Sequence, residues 1–298
     1  MSKGTYYSRA CYKVMGFQQM SEEFTRKLVI NGKSQSTHQN YVRQMSKLAL
    51  YYGRTPLEID NDELEEYLYY LIQRDTDALS SYKHLVYGLR KLYQLFGKDE
   101  LVLSLPKIDR PNKLPVVLSS VEIKQLLNAP VLIREKIMFG LTYDTGIRIS
   151  ELVSLQLRDI DLDRLVIHVR QPKNKRDRYV PMSTHAARGI KKHLTINRPK
   201  VYLFENLNRP GMPISKTRVR FLLKEALKMT GIKKPVSVHT LRHTYATHQL
   251  ESGQNIMVLK ELLGHSNIQT TLIYLHIAQT DYEKRKGCLD ILYPAVNV

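Results

Sequence analysis

Residues His239 to Tyr274 read HTLRHTYATHQLESGQNIMVLKELLGHSNIQTTLIY. In the opening His239-Thr240-Leu241-Arg242-His243, an imidazole and a guanidinium stand three residues apart, and on a helix they share one face. Leu262-Leu263-Gly264-His265 brings another imidazole, and Thr271-Leu272-Ile273-Tyr274 ends on a phenol. Donors, an imidazole and a hydroxyl in one short segment suit an oxyanion held while the hydroxyl attacks it. Plainer readings stand beside this one. Tyr274 could be a packing tyrosine and His265 a histidine at a helix start. His239 and His243, four apart, could bind zinc, but the glutamate of an HExxH motif is missing and Arg242 is a poor neighbour for a cation.

The chain around this stretch has 298 residues, 43% hydrophobic and 25% charged, which fits two globular domains. Its apolar runs, such as Leu101-Val102-Leu103, are far too short to span a membrane. Met1-Ser2-Lys3-Gly4-Thr5-Tyr6 has no apolar signal core. Cys11 and Cys288 cannot form a disulfide framework and lack metal-ligand spacing. These features lead us to expect a soluble cytoplasmic protein with no membrane partner. The charge says more. Against 28 acidic side chains stand 46 basic ones, a net of +18. Residues 1–110 carry 16 basic and 13 acidic groups, while residues 111–298 carry 30 and 15. The second part therefore has a net of +15 and should attract polyanions, of which nucleic acid is the commonest. A basic surface kept for solubility is the duller alternative.

Read in order, residues 1–20 form an N-terminal extension without clear periodicity. Residues 21–108 read as a helical domain. Ser36 or Thr37 can cap a helix through Tyr41, Met45, Leu48 and Tyr52 that stops at Gly53. Asp60 or Asn61 caps the next, with Leu64, Leu68, Leu71 and Ile72 at helical spacing. Ser80 or Ser81 starts a third, with Leu85, Leu89, Leu92 and Leu95 on one face, ended by Gly97. The prolines of residues 109–115 make a linker. Residues 116–298 mix types. Ser119-Ser120-Val121-Glu122 is a capping box, and a helix through Ile133–Tyr143 ends near Gly146. Leu165–Val169 and Arg178–Met182 read as a hairpin with a basic tip. Ser183–Leu194 and Ser215–Met229 read as amphipathic helices. The fold class is mainly α with a small antiparallel β-sheet.

The order Arg148, Lys173, His239-x-x-Arg242, His265, Tyr274 resembles the tyrosine recombinase (phage integrase) family. The matching text is TGIRISEL at 145–152, the lysine hairpin at 171–180, HTLRH at 239–243, LLGH at 262–265 and the tyrosine of TTLIY. The helical domain before the linker is similar to that family's SAM-like core-binding domain, so the likeness spans roughly residues 21–280.

This resemblance implies site-specific DNA strand exchange through a 3′-phosphotyrosyl intermediate at Tyr274, which conserves the phosphodiester energy without ATP. Arg148 and Arg242 would hold the non-bridging oxygens, and His265 would add a donor. His239 would accept the phenol's proton, and Lys173 would protonate the leaving 5′-oxygen. Glu151 would support the site from behind; the alternative is a surface ion pair with Arg148, three residues before it. Lys175, Arg176 and Arg178 are expected on the DNA. Pro172 and Asn174 stand where the family usually has glycines, so Lys175 remains open as the hairpin lysine. No metal or other cofactor is expected. The implied partners are double-stranded DNA, gripped between the two domains, and further copies of the chain in a DNA-bound tetramer. Two other readings stay in view: a catalytically silent DNA-binding protein, and a type IB topoisomerase-like enzyme.

Overall fold

In the computed structural model, residues 5–32, 35–74, 78–108, 114–170 and 177–278 are described. The chain divides into two compact units, Met1–Pro111 and Asn112–Val298.

The first unit is helical: α1 Tyr6–Lys13, α2 Phe17–Ile30, α3 Gln35–Tyr52, α4 Asn61–Arg74, α5 Ala78–Leu95 and α6 Asp99–Ser104. Residues 5–20 differ from the sequence reading, which gave them no element. Thr5 caps α1 by accepting from the Ser8 amide at 3.2 Å. Ala10, Val14 and Phe17 then enter the same core as Phe24, Leu48, Leu64, Leu85 and Leu89. Asp60 caps α4 reciprocally: its carboxylate accepts from the Glu63 amide at 2.9 Å, and Glu63 accepts from the Asp60 amide at 3.2 Å. Helix α3 begins ahead of Ser36 and Thr37, and α5 two residues ahead of Ser80, so neither starts at the residues expected to cap it. Ala78, a strong helix former, extends α5 backwards at little cost. Ile72, expected on the apolar face of α4, is 56% exposed instead. Tyr51 packs edge-on against Tyr52 and Tyr67 at 4.9 and 5.0 Å, so these tyrosines fill space between helices.

The second unit opens with α7 Ser120–Asn128, α8 Ile133–Thr145 and the short α9 Ile149–Ser154. Ser119 and Glu122 form the expected capping box, and Gly146 ends α8 at φ +61°. A three-stranded antiparallel sheet follows, in the order β1 Ile160–Asp161, β2 Val166–Val169, β3 Arg178–Pro181. Its register pairs Ile167 with Val180 and Val169 with Arg178. Then come α10 Thr184–Asn197, a hairpin of β4 Glu205–Asn206 and β5 Arg209–Pro213, and α11 Lys216–Lys228. The sequence reading did not find that hairpin. The unit closes with α12 Val238–Glu251, α13 Ile256–Leu263 and α14 Gln269–Leu272. Helix α12 is its axis: Val238, Leu241, Arg242, Tyr245, Ala246 and Leu250 are all buried. The main core joins α7, α8, the sheet, α10, α11 and the start of α12. A smaller cluster of Tyr245, Ala246, Leu250, Leu259, Leu263 and Tyr274 joins α12 to α13 and the residues after α14.

Candidate active site

The site lies where these two clusters meet. Three tight backbone turns set it up. Gly146 ends α8 at positive φ, and a Cβ there would stand 2.3 Å from the Tyr245 ring. Gly264 ends α13 at φ +62°, with Arg178 Nη1 only 2.8 Å from where a Cβ would stand. Ser237 starts α12 by accepting from the Thr240 amide. Only glycine is free of strain at the first two positions, so the carbonyls of Gly146, Leu262, Leu263 and Gly264 can turn toward the guanidinium groups.

Arg148, Arg178 and Arg242 use those carbonyls. Arg242, 3% exposed, donates from Nη1 to Gly146 O at 2.6 Å and from Nη2 to Leu263 O at 2.7 Å. Arg148 donates from Nη2 to Gly264 O at 3.0 Å and from Nη1 to Glu151 Oε1 at 2.9 Å. Arg178 donates from Nε to Leu262 O at 2.8 Å, and its other two nitrogens meet both Glu151 oxygens at 3.1 and 2.8 Å. Glu151 is 8% exposed. Burial alone would raise its carboxyl, but Arg178 and Arg148 hold it below the usual carboxylate range. The Arg148–Glu151 contact is therefore no surface pair.

Arg178 corrects the expectation that it faces DNA. Its side chain is 9% exposed, and its guanidinium is committed to Glu151 and Leu262. The register explains why. Arg178 lies opposite Val169 and two residues before Val180, so strand alternation puts it on the inward face. That period-2 signal was available in the sequence. Lys173, Lys175 and Arg176 lie outside the described residues.

His265 receives the next bond. Its Nε2 is 2.9 Å from Arg242 Nη2, and its Nδ1 is 2.9 Å from Thr271 Oγ1. A guanidinium can only donate, so Nε2 accepts and Nδ1–H donates to Thr271. The ring is thus neutral. Burial, then the charges of Arg242, Arg148 and Arg178, push its pKa down to about 3. In this state His265 orients Arg242, whereas the sequence reading had it donating to phosphate. Arg242 itself is lowered to about 10, first by burial and then by Arg148.

Tyr274 is 2% exposed. Its hydroxyl lies 2.9 Å from His243 Nδ1. Burial raises this phenol, while the nearby Arg242 and Arg148 pull it back toward ionisation. His243 falls to about 4 through burial, His239 and Arg242. His239, one turn earlier on α12, has its ring 5.9 Å from that of His243. It stands exposed in the first helical turn. Partial burial, followed by Arg242, Arg148 and Arg220, lowers its pKa. Neither His243 nor Arg220 of α11 was singled out as a site residue from sequence. The i, i+4 spacing of the two histidines showed that they share a face, but not which of them meets residue 274.

The arrangement can bind an oxyanion. The bonds described leave N–H groups of Arg148 and Arg242 unused, and a buried phenol lies alongside. Among the described residues, no three His, Cys, Asp or Glu side chains converge to hold a metal. No helix among them is long and apolar enough to cross a membrane.

Known proteins are similar to this chain in sequence and in fold. The profile of the phage integrase family matches residues 117–281, and that of the phage integrase N-terminal SAM-like domain matches residues 20–102. A tyrosine recombinase of Thermosipho africanus is 34% identical over 263 residues, covering 84% of this chain and 91% of the relative. Tyrosine recombinase XerA of Thermococcus onnurineus is 35% identical over 263 residues, covering 86% and 90%. In fold, the chain is similar to a lambda integrase solved as a dimer bound to a COC′ core site. The TM-score is 0.69 at 18% identity, over 91% of this chain and 78% of that one.

Proposed function

The chain belongs to the phage integrase family, and from that premise we propose that it is a site-specific DNA recombinase that cleaves and rejoins strands through Tyr274. The observation that carries this reading is the single cluster in which Arg242 joins His265 and lies beside the Tyr274 phenol.

In this mechanism a backbone phosphate sits against Arg148 and Arg242, whose fixed guanidinium planes meet its non-bridging oxygens. Charge grows on those oxygens as phosphorus becomes five-coordinate, and donors already in place stabilise it without reorganising. The phenolic O–H bond of Tyr274 breaks, its proton passing to an imidazole of α12, as Oη bonds to phosphorus and the bond to the 5′-oxygen breaks. Lys173 delivers a proton to that oxygen. Rejoining is the reverse, with a 5′-hydroxyl as nucleophile and the phenol as leaving group. His239, at the positive end of α12, suits contact with a phosphate oxygen. The +15 net charge of residues 111–298 supports a DNA partner, with affinity that falls steeply as salt rises. Exchange takes place between copies of the chain in a DNA-bound tetramer. Deleting residues 283–298 should weaken cooperative site binding; unchanged cooperativity would remove the tail from that assembly.

The decisive experiment traps the intermediate. Protein is incubated with nicked duplexes covering candidate sites and denatured, and a covalent protein–DNA band is sought beside Tyr274→Phe. A band in wild type and none in the variant is expected. A band that survives in Tyr274→Phe would move the nucleophile elsewhere. Binding with no band on any substrate would favour a silent DNA-binding protein. Relaxation of supercoils without site preference would favour a topoisomerase.

A further inference from the structure

We propose that His243 is the residue that takes the proton of the attacking Tyr274 hydroxyl and returns it on rejoining. The inference rests on the reading of Tyr274 as nucleophile and adds to it a residue that the family resemblance did not supply.

The geometry singles His243 out. Its Nδ1 is 2.9 Å from Tyr274 Oη, within direct transfer distance. The two rings lie 5.7 Å apart at 48°, so the contact is made through edge atoms rather than by stacking. His239 occupies the same helical face one turn nearer the N-terminus. It is exposed where Arg148, Arg220 and Arg242 all bear on it. That position suits a phosphate contact, and His243 is left at the phenol.

The charges around His243 set when the transfer can happen. From its own helix it feels His239 and Arg242. From the turn after α13 comes His265, and from the residues after α14 comes Tyr274 itself. Without DNA this surrounding is cationic, and a protonated His243 would add a further positive charge to it. The phenol is then donor and Nδ1 acceptor, and the proton stays on oxygen. A phosphodiester bound at Arg148 and Arg242 brings negative charge into the cluster and makes an imidazolium tolerable. Transfer then breaks the phenolic O–H bond, forms Nδ1–H on His243, and frees the oxygen to bond to phosphorus as the P–O5′ bond breaks. On rejoining, the departing Tyr274 oxygen takes the same proton back. Proton and electron pair balance, and the tyrosine becomes nucleophilic only when substrate is in place.

The test is single-turnover trapping on a nicked duplex across pH 5–9, comparing wild type with His243→Gln, His243→Ala, His239→Ala and Tyr274→Phe. Thermal melting and DNA binding are measured for each. Glutamine fills the space and can accept a hydrogen bond but cannot carry the proton. The expected result is His243→Gln that folds and binds DNA as wild type but cleaves about a hundredfold more slowly, without the wild type's fall in rate toward acid pH. His239→Ala should keep that acid limb. Should His243→Gln cleave at the wild-type rate, or the acid limb vanish in His239→Ala and persist in His243→Gln, the inference is overturned while Tyr274 stands. A wild type that forms no covalent band overturns the underlying reading, and this inference with it.

Discussion

Around Glu151, three guanidinium groups are pinned by charge-assisted bonds and by four main-chain carbonyls. Around Tyr274, a neutral phenol and a neutral imidazole share one hydrogen bond against a small apolar cluster. The first region is finished before DNA arrives: burial, glycine turns and a buried carboxylate hold its donors in place. The second is withheld. The tyrosine proposed as nucleophile is buried and protonated, and the groups beside it resist gaining charge. On the proposed mechanism, the guanidinium half is a rigid template and the tyrosine half a switch that substrate must throw. Such a division would keep the tyrosine inert away from a correctly seated phosphate.

Arg242→Lys should break the template most severely. An ammonium cannot reproduce donation to Gly146 O, Leu263 O and His265 while also reaching a phosphate oxygen. Trapping rates should fall by roughly 10²–10³, with DNA binding nearly retained because lysine keeps the positive charge and the basic excess of residues 111–298 is unchanged. A loss under tenfold would mean that the planar fork is not what organises this half.

Glu151→Gln comes next. It leaves Arg178 buried without its counter-charge, and breaking such a pair costs about 3–5 kcal/mol. A fall of roughly 6–20 °C in melting temperature should follow in the second unit. The sign of its pH effect is set by the lowered folded pKa. The stabilisation is present above the unfolded carboxylate value, about 4.3, and is lost as pH falls through the folded value. The variant should lack this loss in acid titrations below pH 4. An equal loss in both proteins would place the acid sensitivity in another carboxylate.

The same contrast shows what the sequence could reveal. Elements governed by local chemistry were legible: the capping box at Ser119, the glycine stop at Gly146, the helices starting at about Ser183 and Ser215. Where local signals were poor, reading failed. Gln18 and Gln19 interrupt the apolar spacing at the start of α2, and Pro210 disguises β5 as a loop. In the site, the order of motifs pointed to Arg148, Glu151, Arg242, His265 and Tyr274, and the structure brings these side chains together. It could not say who bonds to whom. His239 and His243 are equivalent by spacing, and only the packing of residue 274 against α12 separates them. Arg178 was legible in principle through its alternation with Val180, but its charge drew attention to DNA instead.

Histidine titration gives a smaller effect that probes the switch. His243 and His265 have folded pKa values of about 4 and about 3, below the unfolded value near 6.5. The unfolded chain therefore binds more protons between those limits, and stability should fall as pH drops from about 6.5 toward 4. Each histidine contributes at most about 1.4 kcal/mol per pH unit, less where water screens it. His243→Gln should remove part of this slope in denaturant melts at pH 4–7. An unaltered slope would mean that His243 titrates normally and is not withheld at all.

The smallest expected effect tests the seam between the two regions. Thr271 is fully buried and accepts the Nδ1 proton of His265, which fixes Nε2 as acceptor for Arg242. Thr271→Val keeps the shape but leaves that N–H without its partner, at about 1–3 kcal/mol. If the tautomer aligns Arg242, cleavage should slow several-fold while binding holds, and the nitrogen NMR shifts of His265 should show mixed tautomers. Slower cleavage with the tautomer unchanged would instead tie Thr271 to the position of Tyr274, three residues along the chain, whose amide bonds to the Thr271 carbonyl at 3.0 Å. The seam would then act by placing the nucleophile, and the template would owe nothing to it.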